Sequence, residues 1–217
     1  MPLIKEINTE ANTRIGIWQV TESPEELKWG LQWGNEDIKK FRAIQDQERS
    51  MHWLGSRVLL RKMLDTAKFI DLQVDEYGKP YITNMDINLS ISHSGDRVAI
   101  MLSDRKCGID LQHIEKRIIA ISHKFISDHE REDLDEPHLI EKMYVFWCGK
   151  EALYKLHGKR KLDFRQNLYL YPFEWKNKGV VMGEIKKEGY FKSVDIHYQT
   201  LDDYLLAYAV DGPSEKK

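Results

Sequence analysis

Cysteine is scarce: Cys107 and Cys148 are the only two in 217 residues, and no metal-ligand spacing joins them. That excludes a disulfide framework and a cysteine-based zinc site, and the pair reads as reduced thiols in a reducing compartment. An excess of charge of one sign is also missing. Thirty-three basic residues face 35 acidic ones, for a net charge of −2, which excludes nucleic-acid binding by broad charge alone. No run approaches the roughly 18 apolar residues a membrane span needs. Met1 and Pro2 lead into Leu3, Lys5 and Glu6 with no apolar signal core, so the expected location is the cytoplasm. There is no Walker-type glycine loop, no dinucleotide glycine fingerprint and no Gly-x-Ser-x-Gly elbow. A phosphate ligand would therefore be held by side chains and metal, and a serine-hydrolase triad is not supported. What is present suffices for a core without cross-links, with 41% of residues hydrophobic.

Periodicity predicts a mixed chain. Residues 14–20 alternate as a half-buried strand. Ser23-Pro24-Glu25-Glu26 starts a helix with a capping residue and an early proline. A longer helix is expected from about Asp46 to Ala67, carrying Trp53, Leu54, Leu60 and Leu64 at helical spacing with Arg49, His52 and Arg57 among them. Glu76 to Pro80 is a turn. Asn88–Ser92 and Val98–Leu102 read as strands joined by Ser94-Gly95-Asp96. After Gly108, Ile109 and Leu111 point one way, Asp110 and Gln112 the other. One helix is expected around 116–125 and another from about Leu139 to His157, with Gly158 placed to cap it. Each half shows a helix, then Gly-Lys (78–79 and 158–159), then strands, and Val98–Leu102 resembles Tyr204–Val210. The expectation is an α+β fold of two similar halves, 1–105 and 106–217, joined near 103–108, with a tail from Gly212 to Lys217.

Several residue sets could carry chemistry, and each has a plain structural reading beside it. On the helix ending at Gly158, Phe146, Leu153 and Leu156 belong to a core face, and Lys150, Glu151, Tyr154 and Lys155 to the opposite one. Taken alone, that opposite face is an exposed surface with a Glu151–Lys155 ion pair worth a few tenths of a kcal/mol. Asp110, held stiffly between two large apolar strand residues, suits a magnesium ligand, and magnesium takes one or two carboxylates plus substrate phosphate oxygens. Alone, it is a strand-edge solvation group. Ser92-His93-Ser94, where a strand meets a turn, can hydrogen-bond phosphate oxygens, or can simply be a polar turn. Lys79, Arg49 and Arg57 are cations suited to a polyphosphate, or ordinary surface.

Taken in order, these pieces resemble one family, the 4′-phosphopantetheinyl transferases that activate peptide and fatty-acid synthases. Gly78-Lys79-Pro80, Ser92-His93-Ser94, Gly108-Ile109-Asp110, Phe125–Glu130 (Phe-Ile-Ser-Asp-His-Glu) and Trp147–Gly158 follow its motif order across roughly Arg49 to Phe173. The resemblance implies a pseudo-two-fold α+β monomer with coenzyme A in the cleft between halves. It also implies transfer of the phosphopantetheine arm to a serine of an acyl or peptidyl carrier protein. It makes Asp110 and Glu151 magnesium ligands, Glu130 the base for the carrier serine, and Lys155 the cation that steadies the pyrophosphate. Arg49, Arg57, Lys79, Pro80, Ser92 and His93 would line the coenzyme A phosphates and nucleotide. One position departs: many members carry glutamate where this chain has Gln112, so the metal would have two carboxylates and only a weak or water-mediated donor at 112. Two other readings compete. One is a non-catalytic module that binds coenzyme A or a carrier, favoured by Gln112. The other is a magnesium-dependent nucleotide pyrophosphate hydrolase, which would need further clustered acidic ligands.

Overall fold

The computed structural model describes residues 3–9, 12–134, 137–159 and 161–212. The expected tail from Gly212 lies, from residue 213 on, outside the described residues. The chain divides into two compact units, Met1–Asp104 and Arg105–Lys217, and mixes helices with antiparallel sheets, an α+β fold. None of the described helices is long and apolar enough to cross a membrane.

The first unit opens with the hairpin β1 (Leu3–Thr9) and β2 (Thr13–Gln19). Helix α1 (Pro24–Lys28) starts at the expected capping box, in which Ser23 Oγ accepts from Glu26 N and the Glu26 carboxylate accepts from Ser23 N. Helices α2 (Asn35–Arg42) and α3 (Gln47–Leu64) follow. Asp46 caps α3, its carboxylate accepting from Arg49 N at 2.7 Å. The helix stops at Leu64 and not at Ala67, because Asp65 turns into the left-handed region at φ 44°. The small hairpin β3 (Leu72–Val74) and β4 (Pro80–Ile82) precedes β5 (Asn88–Ser94) and β6 (Arg97–Ser103). The sheet order is β1-β2-β6-β5, all antiparallel. Leu59, Leu60 and Met63 of α3 bury against Trp18, Leu89, Val98, Ile100 and Leu102.

The second unit runs β7 (Cys107–His113), α4 (Ile118–Ile121), α5 (Asp128–Arg131), α6 (Leu139–His157), then β8 (Leu168–Leu170), β9 (Lys178–Lys187), β10 (Tyr190–Leu201) and β11 (Tyr204–Val210). The single helix expected around 116–125 is broken: α4 is one turn, followed by a 3₁₀ turn at Ser122–Lys124. Three isoleucines in four residues and no side-chain cap give a helix little intrinsic support there. Strand order is β7-β11-β10-β9-β8, antiparallel throughout. Helix α6 lies across this sheet and ends at Gly158, which takes φ 70° as its cap. Phe146, Leu153 and Leu156 of α6 join Ile196, Leu205, Ala207 and Ala209 in the core.

Candidate active site

Gly108 decides how closely α6 approaches β7. A Cβ there would lie 2.0 Å from the backbone oxygen of Ala152, so only glycine lets the helix backbone rest on the strand. Its neighbours in the ladder are small as well, since Gly108 pairs with Ala209 and Asp110 with Ala207. Alternation then turns Asp110 and Gln112 to the same side as Gly108, beneath the helix. The result joins a strand to a helix through charge. Lys155 Nζ donates to Asp110 Oδ1 at 2.7 Å and to Ile109 O at 2.8 Å, and Gln112 Nε2 donates to Asp110 Oδ2 at 3.2 Å.

Asp110 is 2% exposed, so its charge is compensated by Lys155 and by the Gln112 amide. Glu151, one turn before Lys155 on α6, feels the shortfall. Burial, then the Asp110 charge, pushes its carboxyl up to about 7, with Lys155 offsetting part. Cys148, a turn earlier, is buried, and burial together with Asp110 raises its thiol well above the usual range. It behaves as a small apolar residue under the site. Asp110, Glu151, Lys155 and Gln112 are thus one electrostatic cluster. The Glu151–Lys155 pair expected from helix spacing gives way to Asp110–Lys155.

The donors suit a hard cation: two carboxylates and an amide, all oxygen, with more negative charge than Lys155 neutralises. Among the described residues no group of three or more His, Cys, Asp or Glu side chains is arranged to hold a metal.

Glu130, expected as the base, is enclosed by hydrogen-bond donors. It is 0% exposed. Its Oε2 accepts from Ser127 N, Ser127 Oγ and Lys150 Nζ at 2.9, 2.8 and 2.6 Å, and its Oε1 accepts from Leu170 N at 3.0 Å. The carboxylate thus accepts four hydrogen bonds within the fold. Lys150, assigned from spacing to an exposed face, is the correction that goes with it. It is also fully buried and donates to Phe125 O at 2.6 Å and Phe164 O at 2.8 Å besides Glu130. Trp147 packs on Phe125 and Phe164 beside these carbonyls. The sequence did hold a signal for this: Ser127-x-x-Glu130 is a capping box, and the structure forms it at the start of α5.

The first unit holds the residues expected to meet phosphates. His93 is exposed near the end of β5, Ser92 beside it is buried, and Arg49 is exposed in the first turn of α3. Lys79 closes a turn in which Asp75 Oδ1 accepts from the backbone N of Tyr77 and of Lys79, both at 2.8 Å, and Pro80 opens β4. Arg57 is differently committed. Its guanidinium lies 3.1 Å over the Trp53 ring, donates to Trp53 O and sits 3.6 Å from Asp37. Burial pushes it down to about 10 while Asp37 holds it up. Its guanidinium is thus already engaged in packing and an ion pair. His52, left out of the expected set, stacks on His93 at 4.3 Å.

Residues 106–209 match the family model of the 4′-phosphopantetheinyl transferase superfamily. A 4′-phosphopantetheinyl transferase of Bacillus subtilis is 35% identical over 133 residues, covering 57% of this chain and 59% of that protein. Sfp of Bacillus subtilis strain 168 is 30% identical over 133 residues, covering 57% and 58%. AcpT of Escherichia coli K12 is 31% identical over 117 residues, covering 51% and 59%. The matches thus reach 58–59% of the length of these curated relatives.

Proposed function

We propose, from the match of residues 106–209 to the 4′-phosphopantetheinyl transferase superfamily, that this chain belongs to it and moves the 4′-phosphopantetheine arm of coenzyme A onto a serine of an acyl or peptidyl carrier protein. The observation that carries the proposal lies inside the matched segment: Asp110 and Glu151 share one charged cluster with Lys155, held beneath α6 by Gly108. In the reaction the serine hydroxyl gives its proton to a water molecule, and its oxygen forms a bond to the phosphorus that bears the pantetheine arm. The bond from that phosphorus to the bridging oxygen breaks, the electron pair stays with that oxygen, and adenosine 3′,5′-bisphosphate leaves.

Asp110 and Glu151 would hold Mg²⁺, with Gln112 as a weak or water-mediated donor. When bound, the ion supplies positive charge to the pyrophosphate oxygens. Lys155 is fixed by Asp110 and Ile109 O, so its ammonium is already oriented when charge builds on the leaving oxygen, and fixed charge of this kind needs no reorganisation. Glu130 and Lys150 act at one remove: they tie the Phe125–Glu130 segment and β8 to the helix that carries Glu151. On the first unit, Arg49, Lys79, Ser92 and His93 are assigned to coenzyme A phosphates and nucleotide, and Arg57 to the packing beneath them.

Incubating the full chain with Mg²⁺, coenzyme A and a small panel of apo carrier proteins tests this by intact mass. Carrier gaining one phosphopantetheine arm supports the transferase. Cleavage of coenzyme A without carrier points to a pyrophosphate hydrolase. Coenzyme A binding with neither reaction points to a non-catalytic module, the reading Gln112 favours because it leaves the metal only two carboxylates.

A further inference from the structure

We infer that His52 is a positioning residue for coenzyme A, acting through His93; this rests on the reading of His93 as a phosphate ligand. His52 projects from α3 and is 6% exposed. Its ring stacks on that of His93 with centroids 4.3 Å apart and planes 20° from parallel. Its Nε2 lies 2.7 Å from Gly95 O. A carbonyl oxygen only accepts, so Nε2 carries a proton and donates, and the ring plane of His52 is fixed. Gly95 belongs to the turn directly after β5, with φ 54°. One buried side chain therefore touches both the turn that follows His93 and one face of its imidazole. Glu48 stands 4.0 Å from the same Nε2, on the solvent side of the helix.

An exposed histidine ordinarily samples several rotamers, and a ligand that needs one of them must order it on binding. The His52 ring contributes to that ordering: it offers a flat face to His93 and leaves that side chain exposed toward solvent, a contact that stabilises the arrangement as aromatic stacks do.

Two substitutions separate the ring from the hydrogen bond. His52→Phe keeps a flat ring and loses the donor to Gly95. His52→Gln keeps an N–H donor and loses the ring. Coenzyme A affinity is measured by calorimetry on the full chain with Mg²⁺, alongside His93→Ala and the His52→Gln/His93→Ala double variant, with melting temperatures recorded for all. Expected are a dissociation constant raised about three- to tenfold in His52→Gln, the range of ordering one side chain, and a value within about twofold of the parent in His52→Phe. The double variant should bind no more weakly than His93→Ala alone, since His52 acts through that ring. Parent-like binding by His52→Gln, equal losses in both single variants, or additive losses in the double variant would each overturn the inference. If His93→Ala binds as the parent does, the phosphate role of His93 fails and the inference falls with it. If His93→Ala weakens binding while His52→Gln does not, only the inference fails.

Discussion

Removing one partner of the buried Glu130–Lys150 pair should unfold the second unit before it disturbs chemistry. In Lys150→Met the carboxylate stays in place, 0% exposed, with three donors left: Ser127 N, Ser127 Oγ and Leu170 N. Phe125 O and Phe164 O each lose their ammonium partner at the same time. Breaking a buried pair from one side costs about 3–5 kcal/mol. At roughly 2–4 °C per kcal/mol for a chain this size, the melting temperature should fall by about 6–20 °C. Glu130→Gln is the sharper test, because every group facing the carboxylate is a donor. An amide presents one oxygen and one NH₂, so its nitrogen must face Leu170 N on one side or Ser127 and Lys150 on the other. A donor set against a donor costs about 1–3 kcal/mol, so this variant should also melt lower. Replacing both, Glu130→Leu with Lys150→Met, should cost less than the sum of the single changes, because no uncompensated charge remains. Circular dichroism melts and transfer kinetics on the same preparations decide the matter. A Glu130→Gln protein with the parent melting temperature and normal coenzyme A binding, but a kcat reduced a hundredfold or more, would restore Glu130 as the base and refute the structural assignment.

Asp110→Ala and Glu151→Ala should each lower kcat/KM at least about a hundredfold while the protein stays folded, as measured by transfer at limiting Mg²⁺. Gly108→Ala should cost at least about 1–3 kcal/mol and lose activity together, because the new methyl meets the Ala152 carbonyl and pries Lys155 from Asp110. In metal-free protein, Glu151 is held protonated up to about 7 against an ordinary 4.5, so the folded state binds a proton the unfolded state has lost. Its contribution is complete below 4.5 and fades as pH rises through 7, up to about 3 kcal/mol; denaturant titrations across that range should show the slope, and Glu151→Gln should flatten it. Gln112→Glu should tighten Mg²⁺ more in the free protein than in the coenzyme A complex, where phosphate repulsion offsets the gain; unchanged free-protein affinity in calorimetry would contradict a metal-facing position 112.

What could be read in the sequence, and what could not, follows from how local each signal is. The strand that sets Asp110 and Gln112 on one face needs only alternation and a turn, and Gly158 needs only a position after the last apolar residue of α6. Both are found where expected. Helix α2 and strand β9 escaped because their apolar residues are thin. Strand β9 reads Lys-Gly-Val-Val-Met-Gly-Glu-Ile-Lys-Lys, with two glycines and four charged residues masking a strand whose inward positions are Val181, Gly183 and Ile185. Gly183 is small because the Ile196 side chain fills its space, which is visible only when β10 is in place. Lys150 is the clearest case of tertiary override. It stands next to the charged Glu151, and nothing in the local spacing reports that two carbonyls and a carboxylate wait at the end of its side chain.

Gln112 ties these threads to the chemistry. In the protein as folded, its amide nitrogen points at Asp110 and shares with Lys155 the task of balancing a carboxylate that is 2% exposed. A glutamate in its place would set a third negative charge beside Asp110 and Glu151, and Glu151 already stands near 7 from burial and one such neighbour. The neutral side chain therefore stabilises the metal-free site at the expense of cation affinity, and the amide must rotate before its oxygen can face a metal. An amide that must turn, a glutamate that must lose a proton and a lysine already bound to Asp110 all oppose cation entry in the free protein. A pyrophosphate would relieve the last of these by giving Lys155 other oxygens to pair with, and would bring the ion further negative oxygens. Metal and coenzyme A should accordingly bind with positive coupling here, more strongly than in a site with three carboxylates, because the substrate provides the charge that residue 112 does not.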